Sequence, residues 1–433
     1  MTFQSGERKN DPMNVEGVDI GILLTLTVVV VFTCPAQSSL PTLTVLQDFN
    51  DTSSVDGYQP EAPLLAGKDG VLYGTTELGG DSYNGTVFSM TPPGAAGGAW
   101  IEQVIYSFKG GSDGSEPVAG VAARASGVLY GTTFKGGTSS CGTVFSLTPP
   151  SSPGGPWVER VLHTFTCSGD GGYPSAGVAI GADGRLFGTT QLGGSGEGLV
   201  YELRPPAAAG GAWTETVLHR FTGSPDGNAP VAGVVIGPSG VLYGTTTAGG
   251  TPVNGFIGNG IVFSLAPPST EGGEWTETVI HNFGDTAKDG SEPGGLLLTK
   301  AGVLYGTTFS GVVFALHPPA TTGASWVEEI LYTFRGDPDG ADPTGVLALG
   351  NGVLYGATSV GGSDNSGTVF SLTPPSSPGG VWTESILWNF RGGTDGSSPE
   401  AGVLVESGLL YGTTSFGSPD AGSSGGSVFV VTP

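Results

Sequence analysis

Apolar and polar residues alternate over short stretches along most of this chain, and the stretches return in a fixed order. The stretch Trp100-Ile-Glu-Gln-Val-Ile-Tyr-Ser-Phe108 has its Trp-to-Phe interval repeated at Trp157/Phe165, Trp213/Phe221, Trp275/Phe283, Trp326/Phe334 and Trp382/Phe390. Aromatic and β-branched residues at period two predict a strand. An Asp-Gly-x-x-Pro turn follows, then a run of small residues such as Val118-Ala-Gly-Val-Ala122, which predicts a second strand. Gly permits positive φ and Pro ends ladder pairing, so the turn is marked by its own chemistry. After a tight hairpin such as Ala182-Asp-Gly-Arg185 comes Leu-Tyr-Gly-Thr-Thr, then a Gly-rich loop, then Gly-Thr-Val-Phe-Ser-Leu-Thr-Pro-Pro, as at Gly142 to Pro150. Helical periodicity is absent from the repeats, and four short strands per unit is the make-up of a propeller blade.

The Leu-Tyr-Gly-Thr-Thr phrase is anchored at Tyr73, Tyr130, Phe187, Tyr243, Tyr305, Tyr355 and Tyr411, so the unit recurs every 50 to 62 residues. Such a period means a solenoid, an array or a propeller. The phase at the two ends decides between them. Leu43 to Phe49 is a Trp-less copy of the Trp-to-Phe strand with nothing before it to pair with, whereas the chain stops just after the Gly426 to Val431 strand. With the small-residue strand innermost and the Trp-to-Phe strand outermost, residues 42 to 49 supply the missing last strand of the final unit. This closure removes exposed edges, which an open array must cap. The expectation is an all-β, seven-bladed β-propeller of four-stranded blades over residues 37–433, its last blade closed by the N-terminal strand.

Composition fits this reading. Gly is abundant, at 79 of 433 residues, but it falls at fixed repeat positions together with aromatic residues, which argues against disorder. A formal charge of -24 with 14 Lys plus Arg leaves no basic stripe for phosphates, which disfavours nucleic acid and anionic membranes as partners. Residues 1–36 differ in kind. Ile20 to Phe32 is an almost unbroken apolar run after Arg8 and Lys9, followed by Cys34-Pro-Ala36. That length suits an export signal cleaved near Ala36, with an uncleaved anchor as the alternative. The mature chain is then expected outside the cell, secreted or on the surface, as a monomer without a membrane span.

Candidate chemistry collects in the turns. Every Asp-Gly-x-x-Pro turn carries its acid: Asp56, Asp113, Asp170, Asp226, Asp289, Asp339 and Asp395. Glu116, Glu292 and Asp342 add carboxylates at three of them. Such oxygen-rich turns could hold Ca²⁺, which takes six to eight oxygen ligands, although none has the spacing of a known calcium loop. Asp before Gly is also what a tight turn requires, because its side chain accepts local N–H bonds. No cofactor other than Ca²⁺ is suggested. His163, His219 and His281 share one register, two residues before the recurring Phe, but lie on the outermost strands of different blades, too far apart to meet at one zinc ion. Tyr106, Tyr332 and Trp388 hold the same register, which reads as aromatic packing. Cys141 and Cys167 fall in loops of one face, where a disulfide and two half-buried thiols both remain open. Repeated residues serve every blade, so a catalytic centre belongs among the departures: Glu61, Glu400, Tyr58, Tyr173, Lys135 and the insertion Thr251 to Asn259. The two Gly-x-Ser-x-Gly matches lie in Gly-rich loops without the strand and helix a hydrolase elbow needs. No catalytic residues emerge.

The units from Leu72-Tyr-Gly-Thr-Thr76 through Gly85-Thr-Val-Phe88 and Thr91-Pro-Pro93, with the Trp-to-Phe strand and the Asp-Gly-x-x-Pro turn, resemble the GloVer-type tandem repeat of exported bacterial proteins. The resemblance covers about residues 42 to 433 and implies an extracellular, propeller-like protein without family catalytic residues to carry over. Many members end in a sorting segment, which is not seen before Pro433, so a secreted form or one held by its N-terminus is expected. The expected function is a binding or interaction module for a glycan or protein ligand on the loop face around the central channel. A polysaccharide-processing enzyme on that face and a purely structural surface protein are the alternatives.

Overall fold

The computed structural model describes residues 40–49 and 55–433, apart from positions 96, 153, 194–195, 209, 253–256, 271, 285, 287, 322, 344, 378 and 418–424. The segment expected to be an export signal, 1–36, lies outside the described residues. Pro41–Pro433 forms one compact unit. It is a seven-bladed β-propeller, with seven separate four-stranded antiparallel sheets. In blade 1 the strands run outward in chain order as Leu65–Ala66, Leu72–Thr76, Thr86–Thr91 and Ile101–Ser107. Blade 7 takes Leu404–Glu406, Leu409–Thr414 and Ser427–Thr432 from the C-terminal end and Thr42–Asp48 as its outermost strand. Thr42 faces Thr432 and Asp48 faces Ser427 across that last ladder. The permuted phase thus closes the ring.

Three inter-blade contacts repeat around it. First, the Phe ending each outermost strand meets the aromatic ring in the third strand of the next blade, as Phe108 meets Phe145 at 5.1 Å. The set closes with Phe49 against Phe88, also at 5.1 Å. Second, the Trp of one blade packs edge-on against the Tyr or Phe of the preceding blade's Leu-Tyr-Gly-Thr-Thr strand, as Trp157 against Tyr73 and Trp100 against Tyr411. Third, the first Thr of that strand donates to the next blade's inner run: Thr75 to the Ala119 carbonyl, Thr132 to Ala176, and Thr413 across the closure to Ala62. The Gly between Tyr and Thr makes room for the stack, since a Cβ on Gly74 would sit 2.4 Å from the Phe88 ring.

Each outermost strand is bulged. In blade 1 Val87 faces Tyr106 and Phe88 faces Val104, so two residues oppose one. The bulge breaks strict alternation and leaves both Ile105 and Phe108 buried.

Candidate site on the loop face and at the channel mouth

The Asp-Gly turns carry the chain from one outermost strand to the next innermost strand, on the face where the Gly-rich loops also emerge. Single bridges lace the two loop types together, Tyr58 with Leu78, Ser115 with Lys135 and Asn228 with Ala248 among them. The turn Asp is held from its own blade. Tyr106 donates its hydroxyl to Asp113 at 2.6 Å, Tyr332 to Asp339 at 2.8 Å, and Trp388 its indole N–H to Asp395 at 3.3 Å. His219 Nε2 lies 2.9 Å from Asp226, and His163 Nε2 lies 3.7 Å from Asp170. Backbone N–H groups of the turn, Lys109 to Asp113 and Arg335 to Asp339, occupy the second oxygen at 2.6 and 3.0 Å. The residue two before the Phe therefore does more than pack on that Phe, as His219 does on Phe221 at 4.9 Å. At Tyr106, His219, Tyr332 and Trp388 it is also hydrogen-bonded to the turn Asp. The following Gly is required, because Gly114 has φ 101° and a Cβ there would lie 2.5 Å from the Thr133 hydroxyl.

Three residues further on, immediately before the Pro, the backbone is left-handed in every blade. Gln59, Glu116, Tyr173, Ala229, Glu292, Asp342 and Ser398 have φ between 53° and 59°. Such non-Gly conformations persist only where the surroundings over-determine them. Here two hydrogen bonds do so, Glu116 donating N–H to the Asn84 carbonyl at 3.0 Å and accepting from Phe134 N–H at 2.8 Å. Glu116, Glu292 and Asp342 thus stand on a ring of fixed positions around the face, and Glu116 pairs with Lys135 at 3.0 Å. The turn acids and these ring acids belong to separate blades and do not converge on one point. Cys141 and Cys167 are joined by a disulfide, their Cα atoms 5.5 Å apart, which ties the Gly-rich loop of blade 2 to the turn that leaves it.

Inside the ring, the small-residue runs line a central channel of about 470 Å³. Val118, Val121, Val231, Val234 and Val346 with several Gly and Ala make its wall apolar, and the ionisable groups among its lining residues are Glu61 and Glu400. Both directly follow a turn Pro. Burial, then Glu77 and Glu400, push Glu61 up to about 7. Burial also raises Glu400 and Glu77, and Glu77 is further raised by Glu116 against an opposing pull from Lys135. Four acids and one Lys from the junction of blades 7, 1 and 2 thus act on one another, and Glu61 and Glu400 among them line the channel. The aromatic pair Phe134 and Tyr173, 5.2 Å apart, and the exposed rings of Phe309 and Phe416 lie on the same face.

A second set of acids sits further out. Glu102, Glu159, Glu215, Glu277, Glu328 and Glu384, each two residues after a repeat Trp, have a buried Oε1 without a hydrogen-bond partner. Burial first, and then the turn Asp of the preceding blade, pushes Glu102, Glu159, Glu215, Glu277 and Glu384 up to about 7; the facing acids are Asp56, Asp113, Asp170, Asp226 and Asp339. Strand periodicity gives no hint of this, because a Glu at alternate positions of an edge strand looks solvent-facing. The signal that could have found it is its recurrence at a fixed distance from the Trp.

The profile of the Gloeobacter/Verrucomicrobia repeat matches residues 30–152, 95–316 and 309–433. The chain belongs to that family. No curated protein matches this Gloeobacter/Verrucomicrobia repeat chain. Among solved structures it is similar to the extracellular domain of a provisionally named one-component system from B. thetaiotaomicron, with 10% identity and a TM-score of 0.52, covering 89% of this chain and 41% of that one. A provisionally named 6-phosphogluconolactonase from Bacteroides uniformis gives 14% identity and a TM-score of 0.49 over 75% of this chain and 83% of that one. A calcium structure of a carbohydrate-active enzyme of family AA12 from Trichoderma reesei gives 13% and 0.43 over 90% and 95%. At these identities the likeness concerns the fold alone.

Blade 3 of this repeat chain departs from its sisters in a concerted way. Arg185, Glu202 and Arg204 stand where blade 1 has Val71, Ser89 and Thr91. Glu202 is 1% exposed and accepts from Arg185 at 3.1 Å and Arg204 at 3.0 Å. The three line an outer cleft of about 740 Å³ with Trp275, but the charges satisfy one another. Among the described residues no helix is long and apolar enough to cross a membrane.

Proposed function

We propose that this repeat protein is an exported, monomeric binding module whose ligand seat is the mouth of the central channel, and that its ligand is a glycan. The observation that carries the reading is the pairing of Glu61 and Glu400 in the wall of an otherwise apolar channel, where the repeat breaks its own pattern, with Glu77 close enough to act on Glu61. Carboxylates accept hydrogen bonds from sugar hydroxyls, and exposed rings such as Phe309 and Phe416 offer apolar faces for sugar rings. The turn acids Asp56, Asp113, Asp170, Asp226, Asp289, Asp339 and Asp395 shape this face, and Glu116, Glu292 and Asp342 line its rim. Export of the chain behind residues 1–36 is consistent with the Cys141–Cys167 disulfide, which suits an oxidising compartment. Screening of the exported protein against a glycan array, followed by calorimetry, tests the reading. Binding should fall at least tenfold in Glu61→Gln/Glu400→Gln with little change in thermal stability. Absence of glycan binding, or binding indifferent to that double substitution, would overturn it.

A second reading, an enzyme that processes polysaccharide at the same mouth, is favoured by one feature. Glu61, pushed up to about 7, can hold a proton near neutrality, as a general acid must. Release of reducing ends from a polysaccharide panel, abolished in Glu61→Gln, would establish it.

A further inference from the structure

At the junction of blades 4 and 5 three potential ligands meet that the fold does not satisfy. His281 ends the strand Thr276–Asn282, Asp289 follows in the turn, and Glu328 comes from Val327–Thr333 of the next blade. His281 Nε2 is 3.3 Å from Glu328 Oε1 and 4.0 Å from Asp289 Oδ2, and a donor atom from each of the three lies within 4.8 Å of the others. The Asp289 side chain is 1% exposed, yet its Oδ1 has no hydrogen-bond partner; neither has His281 Nε2 nor Glu328 Oε1. Leaving a buried polar group unpaired costs on the order of 1–3 kcal/mol, and Asp289 Oδ1 is such a group beside the 3.3 Å contact of His281 with Glu328.

The sister junctions show what is different. Asp226 is saturated by His219, the Thr222 N–H at 2.8 Å and the Thr222 hydroxyl at 2.9 Å. In Asp113 and Asp339 one oxygen accepts from a Tyr hydroxyl and the other from a backbone N–H. Asp289 Oδ2 accepts a long 3.4 Å contact from Thr286 N–H, and its Oδ1 has no hydrogen-bond partner. The chain differs at the same place: the turn from Phe283 to Asp289 is one residue longer than from Phe221 to Asp226. With this longer turn, Asp289 Oδ1 is left without a hydrogen-bond partner and Oδ2 lies 4.0 Å from His281.

We propose that His281, Asp289 and Glu328 bind one Zn²⁺ ion that joins blade 4 to blade 5. Tetrahedral zinc with bonds of about 2.0–2.2 Å holds its ligand atoms about 3.3–3.6 Å apart; His281 Nε2 and Glu328 Oε1 already stand 3.3 Å apart, and Asp289, 4.0 Å from His281, would have to draw in. The imidazole nitrogen disfavours Ca²⁺ and Mg²⁺, which take oxygen ligands. Two carboxylates neutralise the ion, and a water completes the shell from the partly exposed side.

The test uses the exported protein stripped with chelator and dialysed against Zn²⁺, with bound metal counted by mass spectrometry and affinity by calorimetry. One equivalent should bind and raise the melting temperature, and Co²⁺ in its place should give the intense visible absorption of a tetrahedral site. Glu328→Gln and His281→Gln should each weaken binding at least tenfold, whereas His219→Gln should leave it unchanged. Should His281→Gln fail to fold, Glu328→Gln, at a half-buried position, carries the test. The inference is overturned if no zinc is retained, or if Glu328→Gln binds as tightly as the unaltered chain.

Discussion

The turn Asp and, in five of the seven turns, the Tyr, His or Trp seven positions earlier illustrate how one side chain can answer two needs. Asp339 caps its turn by accepting the Arg335 N–H and at the same time satisfies the hydroxyl of the partly buried Tyr332. Asp339→Ala removes both acceptors and should cost about 1–3 kcal/mol, while Tyr332→Phe, which removes only the donor, should cost about 1 kcal/mol or less. Urea unfolding of both variants decides this. Equal losses would mean that the Arg335 N–H contact adds nothing and that the Tyr332 hydrogen bond alone accounts for what Asp339 contributes to the turn. The pairing was not legible as such. Both residues stand out as repeated, but the strand is bulged just before Tyr332, and alternation alone assigns the Tyr to packing.

At the scale of the blade, each junction is a copy of the last, and the exceptions are informative. Blade 6 has Ala357 where its sisters have the Thr that donates to the next blade, and Pro41 stands where the Trp for Tyr355 would be. Two of the three repeated contacts are therefore missing where blade 7 meets blade 6. Ala357→Thr should restore one of them, with the Ala401 carbonyl in the register that Thr413 uses at Ala62. A gain of about 1 kcal/mol in chemical denaturation is expected. A loss would show that the junction has closed around the smaller side chain.

Across the whole molecule, burial of like charges sets the response to pH. Glu102, Glu159, Glu215, Glu277 and Glu384 are pushed up to about 7 in the folded chain, against 4.5 as their ordinary value. The folded state then holds protons that the unfolded chain releases between those values. Stability should be highest below about pH 4.5 and fall as pH rises through 7. Melting temperatures measured from pH 5 to pH 8 should decline, and Glu159→Gln should flatten part of the decline. A flat or rising profile would contradict the assignment. Ring closure predicts a second global effect: without Leu43 to Phe49, blade 7 loses its outermost strand and Phe88 loses its stacking partner. The truncated chain should melt far lower or lose its single cooperative transition.

The sequence by itself determined the architecture. Alternation, turn chemistry and the permuted ends are local signals, copied seven times, and each copy corroborates the others. Closure followed from counting which strand lacked a partner. Tertiary structure alone decided which side chains meet. Glu61 and Glu400 lie far apart in the chain and become neighbours only when the first and last blades adjoin, and Glu328 reaches His281 because successive blades pack face to face. Whether an acid turns inward or faces solvent depends on the twist between sheets and on a one-residue bulge or insertion. Those small displacements leave the period intact while redirecting the carboxylates.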